Sequence, residues 1–355
     1  MAVYIVLLIL IILSVNRKDD EKYQNALNKV VIIALSLVGL CRGITVGIDV
    51  EKYVYNIERT TFNPNSWNAW TVFESGYNYV IACFNQLSDS AMLFIGITNV
   101  FFVVAMNVYA RHKVERYNLF VLLLFLLGFY FQSFNIMRQY FAMSFMLIYL
   151  SYVDMENMTK RQIIVTLALT AFLFQFFHNS TLIMLVLLLY QLPAVRNASK
   201  KLWIYALLAV TYIIFYLGLI RSLMAPLMAY FVINEKTDGY MNTAMMLDEA
   251  EEQYSLFRLT LDTLFVSFIV FRVKRVNVYI FLYAVGQIYL NFMASLNPLF
   301  IRLSSWLFII GLVGLCELYQ KDKIAKPVII SYCFVIFINV LIKNYGGFLP
   351  YVPNF

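Results

Sequence analysis

The sequence predicts an all-α, polytopic integral membrane protein of about twelve transmembrane helices, and three observations predict it. Hydrophobic residues make up 62% of the 355 and charged residues 13%, with a mean hydropathy of +0.74, an apolar content beyond that of soluble domains. The apolar residues form long runs: Tyr117–Val153 spans 37 residues and holds one charged side chain, Arg138. A bilayer core is crossed by about 20 helical residues, so this run fits two spans with a turn near the arginine. Finally, the basic residues recur in alternate short loops. A water-soluble core is excluded. The net charge of +7 is scattered over those loops rather than gathered in one patch, which argues against nucleic acid as a partner.

Apolarity and length place spans near 1–15, 29–41, 91–110, 118–134, 137–153, 162–177, 179–193, 202–220, 255–271, 277–295, 299–318 and 327–343. Together they make one transmembrane domain, 1–355, for which a GT-C-like arrangement is a candidate. Met1–Val15 lacks a basic leader and a small-residue cleavage site, and Asn16-Arg17-Lys18 follows it, so it reads as a short first span. Arg17/Lys18/Lys22/Lys29, Arg111/Lys113/Arg116, Lys160/Arg161, Arg196/Lys200/Lys201, Arg272/Lys274/Arg275 and Lys321/Lys323/Lys326 account for 18 of the 27 Lys and Arg residues. By the positive-inside rule these loops face the cytoplasm, and both termini lie outside. The inner loops hold no phosphate-binding glycine loop, which excludes nucleotide chemistry there. The outer segment 42–90 is the longest, with an aromatic, interfacial helix expected around Trp67–Phe84. A second outer loop, 221–254, is acidic and solvated, with a lid as the sharper alternative. The four cysteines form no C-x-x-C pair, and a Cys41–Cys83 bridge is the less favoured reading.

Three long hairpins each carry one ionisable residue near the outer tip. Arg138 belongs to the first, His178 to the run Gln162–Val195, and Arg302 to the run Val276–Cys316, just after Asn297-Pro298, where the proline sets a turn. On a continuous helix Gln132, Asn135 and Gln139 share a face beside Arg138. A lone arginine at a helix end is often an interfacial anchor, and a lone histidine is more often a packed residue than a catalyst. Convergence shifts the balance, because Arg42, Asp49, Glu74, Arg138, His178 and Arg302 fall on one side under a topology fixed by other residues. Charges inside spans mark functional sites by default. Guanidinium forks hold phosphate oxygens in pairs, so a lipid-linked diphosphate fits, its head at the surface and its tail among the spans. There is no D-x-D signature; Asp19-Asp20 is adjacent rather than alternating and lies on the inner side. Metal-independent chemistry and no cofactor are therefore expected.

Arg42-Gly43, Gly47-x-Asp49-x-x-x-Tyr53, Glu74-x-Gly76-Tyr77, Asn135-x-x-Arg138-Gln139-x-x-Ala142, Phe177-His178-x-Ser180 and the late Arg302 together resemble the EpsG family of Wzy-like bacterial polysaccharide polymerases, over about residues 40 to 310. The resemblance implies an enzyme of the cytoplasmic membrane, its site facing outward, that joins repeat units carried on undecaprenyl diphosphate. It implies a lipid-linked oligosaccharide donor and acceptor and surrounding membrane lipids as partners, with a chain-length regulator protein as a further candidate. Arg138 and Arg302, with Arg42 as a third, are assigned to the departing diphosphate. His178, Asp49 and Glu74 compete as the base for the acceptor hydroxyl, with His178 preferred because an imidazole titrates near neutrality. Asn135, Gln139, Tyr53, Tyr77 and Ser180 are expected to position substrate. The rival reading is a transporter or flippase of the same lipid-linked sugars, which should show repeat symmetry and polar residues at the midplane; neither is evident in the sequence.

Overall fold

The computed structural model describes residues 1–16, 21–67, 73–198, 200–219, 255–294, 298–344 and 346–354. The loop expected at 221–254 lies outside them, as do Arg17, Lys18, Asp19, Asp20 and Asn297. In chain order the helices are α1 (Ala2–Asn16), α2 (Glu21–Leu40), α3 (Val50–Arg59), α4 (Ser75–Asn85), α5 (Ala91–Lys113), α6 (Tyr117–Leu126), α7 (Phe129–Gln132) and α8 (Met137–Ser151). They continue with α9 (Lys160–Phe176), α10 (Leu185–Tyr190), α11 (Pro193–Ala198), α12 (Lys201–Tyr216), α13 (Leu256–Arg272), α14 (Val278–Met293), α15 (Pro298–Lys321) and α16 (Ala325–Lys343). Among the described residues there is no strand, only an isolated antiparallel bridge between Arg42 and Pro353.

Each expected span contains a helix. Three helical segments, Ala91–Lys113, Arg302–Lys321 and Ala325–Lys343, are long and apolar enough to cross a membrane by length and composition. Large apolar side chains also point outward, among them Ile5, Ile9 and Leu13 on α1 and Leu202, Trp203, Leu207, Val210 and Ile213 on α12. Such faces suit lipid as the solvent.

Helix ends follow the local chemistry. Ser90, Asn277 and Ser255 accept backbone N–H groups at the starts of α5, α14 and α13, and Thr159 with Gln162 forms a capping box on α9. Pro298 opens α15, where its missing N–H costs nothing.

The chain divides into two compact units, Met1–Leu185 with Val328–Phe355, and Val186–Pro327. In the first, α5 packs against α2 and α8. A methyl group on Gly96 would come within 2.9 Å of the Leu40 Cα, which shows how closely α2 and α5 approach. On the side expected to be inner, Lys113 Nζ donates to the Val153 carbonyl at 2.6 Å. In the second unit, α14 and α15 meet through Gly311 and Gly314, which lie against Tyr283 and Ile280. There Arg272 pairs with Asp322 at 2.7 Å and Lys201 Nζ donates to the Phe271 carbonyl at 3.0 Å. Each of these contacts joins two loops that the charge pattern assigns to one side.

Four expectations need correction. The span 118–134 is not one helix: Gly128, in the left-handed region at φ +83, ends α6, and its N–H closes on the Phe125 carbonyl at 3.1 Å. Nor do Gln132, Asn135 and Gln139 share a helical face, because a turn at 133–136 separates α7 from α8: Gln132 ends α7, Asn135 lies in the turn and Gln139 lies inside α8. The segment 179–193 opens with a 3-10 helix, Asn179–Met184, before α10. The aromatic outer helix begins later than expected, at Ser75, and a second, amphipathic helix, α3, precedes it. Cys41 and Cys83 are free thiols, in line with the favoured reading.

Candidate functional site

The first unit gathers ten of the eleven expected site residues. The chain leaving α2 runs through turns at 44–45 and 48–49, and the C-terminal tail lies along it. Gly43 N donates to the Val352 carbonyl at 2.7 Å, Asn354 N to the Cys41 carbonyl at 2.8 Å and Gly47 N to the Gly347 carbonyl at 3.0 Å. Asn135 Nδ2 donates to the Gly346 carbonyl at 2.9 Å, which ties the turn before α8 to the same tail. The Tyr4 hydroxyl donates to the Phe348 carbonyl and the Tyr351 hydroxyl to the Val38 carbonyl, both at 3.0 Å. Gly47 has φ +116, and a Cβ there would sit 2.7 Å from Asn135 Oδ1. Only glycine suits that position.

Beneath this strap Arg42 has no exposed surface. Its guanidinium lies 4.3 Å from the centre of the Phe134 ring, and Nη2 donates to Met137 Sδ at 3.3 Å, a weak acceptor. Nε and Nη1 have no partner. Burial pushes the group down to about 10, against the opposing pull of Tyr130, Tyr4, Tyr351 and Tyr77.

Arg138, the second residue of α8, is held from several directions. Its Nη1 meets Glu74 Oε2 at 2.6 Å, its guanidinium stacks 4.5 Å over the Phe73 ring, and it hydrogen-bonds Tyr53. The Phe73 and Tyr53 rings stack with centroids 5.2 Å apart. Both members of the ion pair keep some exposure, 20% for Arg138 and 15% for Glu74. Asp49 lies one turn before Tyr53 on the same face, ahead of α3, with Lys52 Nζ 3.8 Å away.

Tyr77, in the first turn of α4, is wholly buried, and its hydroxyl has no partner. Its ring packs edge-on against Phe73, Phe94 and Phe141. Desolvation, and then the neighbouring Tyr53, holds the hydroxyl well above the usual tyrosine range, while Arg138 and Arg42 pull the other way.

His178 joins through Gly76 and Phe177. A Cβ on Gly76 would lie 2.6 Å from the Phe176 carbonyl, so α4 starts against the end of α9. The Phe177 ring packs on Phe141 at 5.8 Å, one turn beyond Arg138. The His178 ring caps the 3-10 helix, Nδ1 accepting from Ser180 N at 3.1 Å. Ser180 and Gln139 are buried. Arg302 lies in the second unit, at the fifth residue of α15, its carbonyl accepting from the Ser305 hydroxyl at 2.7 Å.

The family model that matches the chain covers residues 26–352. The chain belongs to the EpsG family. EpsG is a Wzy-like polysaccharide polymerase family, and with its apolar helices this chain is a membrane protein. No curated protein and no solved structure matches it.

The EpsG match takes in every expected site residue and the tail as far as Val352. Sequence reasoning missed Phe73, Tyr4, Tyr130 and the tail. Phe73 adjoins Glu74, and Gly346-Gly347 ahead of Tyr351 is a turn signal that pointed to an ordered return. Among the described residues no cluster of His, Cys, Asp and Glu has the makeup of a metal site.

Proposed function

We propose that this EpsG-family chain is a membrane glycosyltransferase that joins repeat units carried on undecaprenyl diphosphate, at the outer face of the cytoplasmic membrane, with guanidinium groups rather than a metal ion meeting the diphosphate charge. A hydroxyl of the acceptor glycan attacks the anomeric carbon of the donor. A new carbon–oxygen bond forms as the bond from that carbon to the diphosphate oxygen breaks. The diphosphate leaves on its lipid, and the hydroxyl proton passes to a protein base.

One observation carries this reading: the enclosed Arg42 guanidinium has two nitrogens without a partner. Leaving a cation buried and unsatisfied is costly, and an anionic ligand is what would repay it. Arg138 supplies a second positive group, oriented in advance by Glu74 and Phe73, as stabilisation of a departing anion requires. The aromatic rings beside both arginines lower the local dielectric and strengthen such contacts. The charge pattern of the loops supports the outward orientation.

The test is the purified full-length protein with undecaprenyl-diphosphate-linked repeat units and a chelator. A ladder of longer glycans is expected. A ladder that appears only when divalent metal is restored would remove the metal-free part. Substrate that is moved across vesicles but never lengthened would replace the polymerase with a transporter.

A further inference from the structure

We infer that Arg42 and Tyr77 form one enclosed subsite for a single phosphate group beside Arg138, so that the protein selects a lipid diphosphate over the lipid monophosphate. The inference takes its ligand from the polymerase reading. It starts from two side chains that are wholly buried and incompletely bonded, Arg42 at Nε and Nη1 and Tyr77 at its hydroxyl. Buried donors of this kind are costly unless something accepts from them.

Both groups border one face of α8. Arg42 Nη2 meets Met137 Sδ at 3.3 Å, and the Tyr77 ring packs on Phe141 at 5.6 Å; positions 137 and 141 are neighbours one helical turn apart. Tyr77 also reaches the other arginine. Its ring packs edge-on against Phe73 at 5.6 Å, and the Arg138 guanidinium lies over that same ring at 4.5 Å. The Tyr77 hydroxyl therefore sits in the field of both arginines.

Four tyrosines pull on Arg42, and their hydroxyls show where an anion would enter. Three donate to main-chain carbonyls: Tyr4 to Phe348 at 3.0 Å, Tyr130 to Leu35 at 2.7 Å and Tyr351 to Val38 at 3.0 Å. Of the four, Tyr77 alone keeps its proton for another acceptor, and desolvation holds that proton in place. A group that accepts from a guanidinium and a phenol together is best an anion, and the positive end of the α8 dipole favours the same charge. Arg138, braced by Glu74, takes one phosphate and the Arg42–Tyr77 subsite takes the other. A monophosphate reaches only one of the two places.

The test is binding of undecaprenyl diphosphate and of undecaprenyl monophosphate to the purified full-length protein in nanodiscs, titrated by native mass spectrometry. Wild type is expected to hold the diphosphate at least about tenfold more tightly. Tyr77→Phe should lower diphosphate affinity by about tenfold and Arg42→Met by about 10²-fold, each leaving monophosphate affinity within about threefold. Because both donors serve one phosphate, Tyr77→Phe should cost less than about threefold once Arg42 is already Met. Melting temperatures verify that each variant is folded, and the wild-type comparison needs no variant. Equal wild-type affinities for the two lipids, or losses from the two variants that simply multiply, would overturn the inference. Protein that discriminates as expected yet never lengthens glycans would instead count against the polymerase reading.

Discussion

Arg138 and Glu74 meet at 2.6 Å, guanidinium at the start of α8 and carboxylate one residue ahead of α4. The pair joins two helices that leave the same end of the first unit, and the face of the guanidinium is taken by Phe73. Lysine reproduces the charge but neither the fork nor the flat face that stacks on a ring. Arg138→Lys is therefore expected to lower chain extension by about tenfold or more. Arg138→Ala should lower it by about 10²-fold, with both proteins inserted at wild-type levels. Gel analysis of polymer at matched protein amounts checks this. Full-length polymer from Arg138→Ala would end the diphosphate role of this arginine.

Arg42 should separate stability from activity. Its desolvated guanidinium has two unpartnered nitrogens, and replacing a buried charge by an apolar side chain of similar size is often neutral or stabilising by about 1–4 kcal/mol. Arg42→Met is expected to melt in detergent at or above the wild-type temperature while chain extension falls by about 10²-fold. A large drop in melting temperature would show that the Phe134 and Met137 contacts hold the fold and that the charge serves structure.

The helices were legible because lipid demands apolar length, a signal that composition alone carries. The candidate site was legible to the degree that it depends on charge: Arg138 and His178 stand out against uncharged runs, whereas Arg42, Asp49 and Glu74 lie in a segment of mixed charge. What escaped was the backbone. Gly128 broke a span that hydropathy read as continuous, and the turn at 133–136 put Gln132 and Gln139 on different elements. The tail escaped because its hold on the Arg42 loop consists largely of main-chain bonds, Gly43 to Val352 and Gly47 to Gly347, which leave no mark in side-chain pattern.

The tail makes a prediction of its own. Ending the chain after residue 345 removes the acceptors of Gly43, Gly47, Asn135 and Tyr4 and uncovers Arg42 to water, where a guanidinium–anion contact weakens. The truncated protein is expected to insert, to become sensitive to protease at the 42–48 loop, and to lose chain extension by at least tenfold. Limited proteolysis beside the polymer assay checks both halves. Wild-type polymer from the truncated chain would show that closure over Arg42 is dispensable.

Tyr77 gives the most economical test of whether the buried polar groups await a ligand. Its hydroxyl is desolvated, lies among Tyr53, Arg138, Glu74 and Arg42, and has no partner. Removing an unsatisfied buried hydroxyl costs the fold little and can stabilise it, because the desolvation penalty disappears with the group. If that hydroxyl meets the substrate, losing it costs a hydrogen bond in the complex, about 1.5–3 kcal/mol to a charged oxygen and so about tenfold or more in rate or affinity. Tyr77→Phe should therefore keep or raise the melting temperature and lower kcat/KM for lipid-linked repeat units by about tenfold. A variant that melts earlier at unchanged kcat/KM would assign Tyr77 to packing, with Phe73, Phe94 and Phe141 as its only business.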